Sequence, residues 1–230
     1  MFSVVKVISL NAFVAGHERV ALIDELRRAA GNLPAIRSVL AEPTLPGVYN
    51  GGDIIFRLQF DDRLACEAAQ TDPAWRGVNA VVSDHDKVGS VQSAAYEALS
   101  AGSQAPDGGI YRVALFCANR NPTPDRLTQW ERETAEMPRH VTSIRSWQLG
   151  RVAETSGSCG WTHVWEQEYD ALDGLTGPYM MHPCHWAKVD RWFDPEYPEW
   201  LVDTELCHTF CATRAPVIVH LKTDRAAESR

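Results

Sequence analysis

The sequence predicts an α+β chain of two tandem βαββαβ units, and three observations carry that reading. Strand and helix signals run in the same order twice, a stretch of small turn-forming residues divides the two runs, and short matches recur between them at nearly constant spacing. At 230 residues with 45% apolar content, the chain can bury a sizeable core.

The first unit opens with Phe2-Ser3-Val4-Val5-Lys6-Val7-Ile8-Ser9-Leu10, a β-branched, partly alternating strand. Residues 17–30 read as a helix, with Val20, Ile23 and Leu26 on one face and Gly31 as its stop. A second strand follows over 35–40, then a Pro/Gly-rich loop over 43–52 and a third strand over 54–60. A helix over 63–70 resumes after Asp72-Pro73, and 91–99 reads as a strand with a helix as the alternative. Residues 101–109 form the linker. The second unit then repeats the order, with a strand over 110–116 and a helix over 124–136 that places Pro124 in its first turn. Ile36-Arg37-Ser38 recurs as Ile144-Arg145-Ser146, an offset of 144 − 36 = 108. The strand at 55–61 falls on 164–170 at offset 109, and Asp72-Pro73 falls on His182-Pro183 at offset 110. Residues 201–212 supply the closing strand, and 216–222 a further short strand or tail.

Each run is a ferredoxin-like unit with helices on one face of an antiparallel sheet. The bare faces of two such units can cover each other, so the chain is expected to form an intramolecular dimeric α/β barrel, with unit one at 1–104 and unit two at 105–230. A pocket between sheet and helices is expected in unit two.

Composition narrows the function. A net charge of −8 without basic runs excludes a nucleic-acid footprint, and no apolar run reaches the roughly 20 residues that span a bilayer. The first ten residues lack the pattern of a secretory signal, so a cytoplasmic location is the default expectation. Six cysteines at 66, 117, 159, 184, 207 and 211 are too sparse for a disulfide scaffold and are expected as reduced, packed thiols. No metal site is expected: the His/Cys spacings match no zinc motif, and alternation turns Cys207 and Cys211 away from His208. Neither a phosphate-binding Gly-rich loop nor a Gly-x-Ser-x-Gly elbow is present, which leaves proton-transfer chemistry without a cofactor.

The densest chemistry lies in Gly177-Pro178-Tyr179-Met180-Met181-His182-Pro183-Cys184-His185-Trp186. Pro183 suits the first turn of a helix, with His182 as its cap and His185 near the positive end of the helix dipole. That end disfavours imidazolium, so His185 is expected neutral and able to act as general base. Tyr179 beside it can hold a developing oxyanion. On the strand at 161–167, alternation puts His163, Trp165 and Gln167 on one face, which makes His163 a third catalytic candidate. Of Tyr111 and Arg112, alternation sends only one toward the site. Unit one offers Asp72 and Trp75 where unit two has His182 and His185, and Ile54 where it has His163.

These residues resemble the stress-responsive dimeric α/β-barrel family, with its polyketide-cyclase members. The resemblance rests on Gly160-Trp161-Thr162-His163-Val164 and on the His-Pro-x-His run at His182 to His185. It implies His185 as base, Tyr179 as its partner at the substrate carbonyl, and His163 as a pocket histidine, with Tyr111 where cyclases of the family carry a first-strand histidine. The binding residues expected are His182, Tyr111, Trp165, Trp186 and Trp192.

The function expected is thus a cofactor-independent lyase, cyclase or isomerase acting on a small carbonyl or phenolic compound. The alternatives are a cofactor-free monooxygenase acting on a phenol or quinol, and a non-catalytic ligand-binding stress protein. A small-molecule substrate is the expected partner, without nucleic acid or membrane; the chain is its own pseudo-dimer and leaves room for a homodimer. Residues 192–200, with two prolines among four aromatics, are expected to form a rigid loop that closes the interface between units, or else a lid.

Overall fold

A strand buried at every position needs packing on both faces of its sheet, and here the sheet curls into a nearly closed barrel wrapped by helices. In the computed structural model, which describes residues 1–104 and 107–219, β3 (Ile54–Phe60) and β7 (His163–Tyr169) are buried at every position. Along β3, Ile54, Phe56, Leu58 and Phe60 face the helices, while Ile55, Arg57 and Gln59 face the interior.

The order in the first half is β1 (Phe2–Leu10), α1 (Gly16–Gly31), β2 (Ile36–Pro43), β3, α2 (Arg63–Thr71), α3 (Pro73–Val82) and β4 (Val88–Ser103). The second half has β5 (Gly109–Phe116), α4 (Pro124–Glu136), β6 (Ser146–Ser156), β7 and β8 (Cys207–Thr213). Between β7 and β8 run short helical turns at Leu172–Gly174, Leu175–Tyr179, Cys184–Val189 and Asp190–Trp192. Sequence chemistry sets the helix starts: Asp62, Asp72 and Thr123 each accept a bond from a first-turn N–H, and Pro73 and Pro124 open α3 and α4.

All strand pairs are antiparallel in one eight-stranded sheet, ordered β2-β3-β1-β4-β6-β7-β5-β8. Both halves thus show the ferredoxin-like order, joined through β4 and β6. The ends nearly meet: the segment after β2 crosses to β8, where Leu45 N–H donates to Phe210 O at 3.0 Å and Tyr49 exchanges two 2.8 Å backbone bonds with His208. Gly109 makes the turn into β5 at φ +127°, and a Cβ there would lie 2.3 Å from Tyr169 O.

The barrel interior joins apolar side chains such as Val5, Ile55, Val113 and Val164 to a polar network. Arg57 donates from Nε to Glu166 Oε1 at 2.5 Å, and Tyr111 and the Gln148 amide also donate to the Glu166 carboxylate. One end is closed by residues 216–219: Val217 N–H donates to Glu168, Val217 O accepts from Arg57, and Val219 bonds Gln59 twice. Two further cores lie outside the barrel under the helices, one in each half.

Several local expectations are corrected. Residues 91–99 belong to a longer strand that runs to Ser103, because pairing with β6 draws the start of the linker into the sheet. Residues 201–206 are irregular, and no strand forms over 216–219; 105–106 and 220–222 lie outside the described residues. Two cysteines are not free thiols: Cys117 and Cys159 form a disulfide. Their meeting follows from Thr162, whose N–H donates to Phe116 O and whose Oγ1 accepts from Ala118 N–H, pinning the 157–162 loop to the end of β5. The loop at 192–200 packs mainly on the second half, and its Phe193 lines a cavity that Tyr49 of the first half also reaches. Trp192 and Phe193 pack in the second-half core, and Arg126 donates to Pro198 O and Trp200 O. Among the described residues, no helix is long and apolar enough to cross a membrane.

Candidate active site

A cavity of about 250 Å³ opens between the outer face of the second-half sheet and its helices. β5 contributes Arg112 and Phe116, β7 contributes Trp165, and His208 comes from β8. Thr134 of α4, Met137, and Tyr179, Met180, His185, Val189, Asp190 and Phe193 of the connecting turns complete the helical wall. Tyr49 reaches in from the first half on the segment that crosses to β8.

Local structure sets His185. His182 caps the following turn twice: its Nδ1 accepts from Cys184 N–H at 3.1 Å, and its carbonyl accepts from His185 N–H at 2.9 Å. The turn over Cys184–Val189 is of the wide, π type, a form that recurs at functional sites. It brings the His185 ring edge-on to the Tyr179 ring, with centroids 4.6 Å apart. His185 Nδ1 lies 3.5 Å from Asp190 Oδ2 but makes no hydrogen bond.

Electrostatics then fix protonation. Burial first, and the charge of Arg112 second, lower His185 from 6.5 to about 4. His208 falls to about 3 by burial, then by Arg112 and His185. Both imidazoles are therefore neutral at pH 7. From sequence a helix dipole was invoked for a neutral His185; in the fold, desolvation and a neighbouring cation lower it. Burial raises the Tyr179 phenol above its ordinary value, so it keeps its proton and can donate it.

Arg112 sits at the centre, 6% exposed. Its Nε donates to His208 Nε2 at 2.7 Å, its Nη1 donates to Gln167 Oε1 at 2.5 Å, and its guanidinium lies 5.1 Å from the Tyr179 ring centre. Accepting at Nε2 places the His208 proton on Nδ1. Trp165 Nε1, Gln167 Nε2, Tyr169 Oη and Thr134 Oγ1 are buried without a hydrogen-bond partner. Of these four, Trp165 and Thr134 line the cavity, and the Trp165 and Gln167 donors turn toward the Tyr179 hydroxyl.

Of the residues expected from sequence, Tyr179, His185 and Trp165 meet at the cavity. The others do not line it. His163 is 3.0 Å from Glu131 Oε1 through Nε2 and 2.9 Å from Thr162 Oγ1 through Nδ1, edge-on to Trp130. Tyr111 points into the barrel at Glu166, because β5 places Arg112 rather than Tyr111 on the helix side. Trp192 is core, bonded to Glu133, and Trp186 is 57% exposed. His182 serves as the cap and stacks on His140. Sequence reasoning left Arg112 as one of an undecided pair, read His208 only as a possible metal ligand, held Phe193 only as part of the 192–200 loop, and missed Asp190 and Tyr49. Among the described residues, no cluster of three or more His, Cys, Asp or Glu side chains is placed to hold a metal ion.

Residues 110–203, from β5 to the approach to β8, match the family model of the stress responsive A/B barrel domain. No curated protein matches the sequence. Among solved structures, an anthrone oxidase-like protein superposes with a TM-score of 0.66 at 10% identity, covering 93% of this chain and 92% of that one. A candidate monooxygenase from Fusobacterium nucleatum gives 0.61 at 10% identity, covering 93% and 91%. Another from Lactobacillus acidophilus gives 0.56 at 8%, covering 95% and 98%. At such identities the likeness concerns the fold.

Proposed function

We propose that the chain is a cofactor-independent enzyme of the lyase, cyclase or isomerase type, acting by proton transfer on a small carbonyl or phenolic compound. The observation that carries this reading is the contact between a neutral His185 and a protonated Tyr179 on the wall of one largely apolar cavity. His185 takes a proton from the carbon next to the substrate carbonyl, and the C–H electron pair becomes an enolate. Tyr179 donates a hydrogen bond to that oxygen. The proton on His185 then returns to another carbon in an isomerisation. In a cyclisation, the enolate carbon first attacks a second carbonyl of the same molecule, and the proton goes to the new alkoxide. Residues 1–104 form a unit that keeps the architecture without the chemistry, and 105–230 form the active unit.

A second reading has its own support. Structures of the same fold include an anthrone oxidase-like protein and candidate monooxygenases. In that reaction the substrate anion meets oxygen directly, and a CH₂ group plus O₂ gives C=O plus water. Oxygen uptake on turnover decides between the two. Replacing His185 with Ala should lower kcat/KM by about 10²–10⁴, the range for loss of a general base. Tyr179→Phe should cost about 10²–10³, as for loss of one oxyanion donor. Unchanged turnover in both variants refutes the proton-transfer site.

A further inference from the structure

The cavity holds a cation that the protein does not neutralise. Arg112 is almost fully buried, yet among the described residues it forms no ion pair. Its two protein acceptors are a neutral imidazole nitrogen and a side-chain amide oxygen, and its Nη2 has no protein acceptor there. The one carboxylate on the cavity wall, Asp190, faces His185 instead. Elsewhere the chain satisfies the same problem differently: Arg57, also buried, has Glu166 at 2.5 Å. An uncompensated buried charge is costly, and guanidinium edges bind planar oxyanions well. Around this charge the walls are apolar and aromatic: Phe116, Met137, Trp165, Val189 and Phe193. At about 250 Å³ the space lies just below the roughly 300–1,000 Å³ of common ligand pockets, which limits the guest to a small one.

The geometry points to a small, flat, largely apolar compound bearing one anionic oxygen group, carboxylate or phenolate, with that group on Arg112 as counter-ion and its ring between Trp165 and Phe193. This rests on the reading of the cavity as the active site and names its substrate class. His208 and Gln167 become positioning residues, because their acceptors fix Nε and Nη1 of the guanidinium, and of the two only His208 also lines the cavity.

Binding tests this without knowing the substrate. Salicylate, its neutral isostere salicylamide, and 4-nitrophenol are titrated into the full chain, following tryptophan fluorescence and, for nitrophenol, the absorbance of its anion. The expected result is that salicylate binds about tenfold to a hundredfold more tightly than salicylamide, the size of a charge-assisted bond. Arg112→Met should abolish that ratio, and Arg112→Lys should keep part of it. A lowered nitrophenol pKa on binding, lost in Arg112→Met, identifies the phenolate arm; preference for salicylate alone identifies the carboxylate arm. Should Arg112→Met fold poorly, the ratio at rising salt in the wild type replaces it, with the preference falling as ions compete. Equal affinity for acid and amide in the wild type, or an unchanged ratio in a folded Arg112→Met, overturns the inference. His185→Gln separates the two claims: it should keep the preference while losing proton transfer, so failure of the base leaves the anion site standing.

Discussion

Acidification should destabilise this protein through His185 over a defined interval, and the size can be worked out. In the unfolded chain the imidazole titrates near 6.5; in the fold, burial and then Arg112 hold it at about 4. Between those values the unfolded state binds more protons, so stability rises with pH there. Above about 6.5 both states are neutral and the term is constant; below about 4 both are charged and the loss is complete. At about 1.36 kcal/mol per tenfold, the full difference is about 3 kcal/mol, of which about 2 kcal/mol is lost between pH 7 and pH 5. Urea unfolding of wild type and His185→Gln at both pH values isolates the term, since the other carboxylates are common to the two and the main causes of the His208 lowering, burial and Arg112, are kept in the variant. The wild type should lose about 2 kcal/mol more than the variant. The same protonation sets the rate: kcat/KM should stay level down to about pH 5 and fall with an apparent pKa near 4. Equal losses in wild type and variant, or an imidazole resonance of His185 moving near pH 6.5, would refute the assignment.

Three other outcomes follow from the fold. Glu166→Gln leaves Arg57 buried without its anionic partner and should cost about 3–5 kcal/mol, read as a fall in Tm at about 2–4 °C per kcal/mol for a chain of this size; a loss under about 1 kcal/mol would mean the barrel interior is wetter than described. Glu131→Ala removes the carboxylate that His163 and Arg151 hold down at about 2 against the effect of burial. It should lower stability by about 1–3 kcal/mol and leave turnover per folded molecule unchanged, whereas a large loss of kcat would return His163 to the catalytic set. Cys159→Ser opens a link between positions 42 residues apart and should cost about 2–4 kcal/mol in calorimetry under non-reducing conditions, with no difference from the wild type once both are reduced.

The strands and helices were legible because each carries its own local chemistry. β-Branched runs mark β1, β3 and β5, and prolines after Asp72 and Thr123 mark helix starts. Phase was harder. Alternation separates Tyr111 from Arg112 without saying which faces the helices; the answer lies in the pairing of Arg112 with Gln167, on the same face as Trp165. His208 could not be placed because its register opposite Ala114 is a long-range fact. Tyr49 belongs to the other half and arrives by a crossing segment that no local pattern announces. Trp186 was expected as a binding residue, but it lies on the wide turn over Cys184–Val189 with its side chain exposed. The disulfide was missed for the same reason as His208: Cys117 and Cys159 meet through tertiary bonds to Thr162.

Strand register also explains why the cavity beside His185 has, at the matching place in the first half, a buried tryptophan. Val4 pairs with Leu58 in the first half and Arg112 with Gln167 in the second, so 112 − 4 = 108 and 167 − 58 = 109 reproduce the offsets seen in the sequence. At matching positions, Phe56 stands for Trp165 and Phe60 for Tyr169. Every polar group that the second half presents to its cavity from these two strands thus has an apolar counterpart. Trp75, where His185 would stand, is buried in the first-half core with Val4, Phe56 and Leu58 around the same sheet face. An apolar wall can collapse onto an indole and bury it without an unmet bond. A wall carrying Arg112, Gln167 and the indole N–H of Trp165 cannot do so, because closing over a charge and free donors costs more than the apolar contacts return. The polar residues on the sheet face of the second half therefore keep its cavity from collapsing, and the apolar residues at the matching positions of the first half let Trp75 pack directly on the sheet.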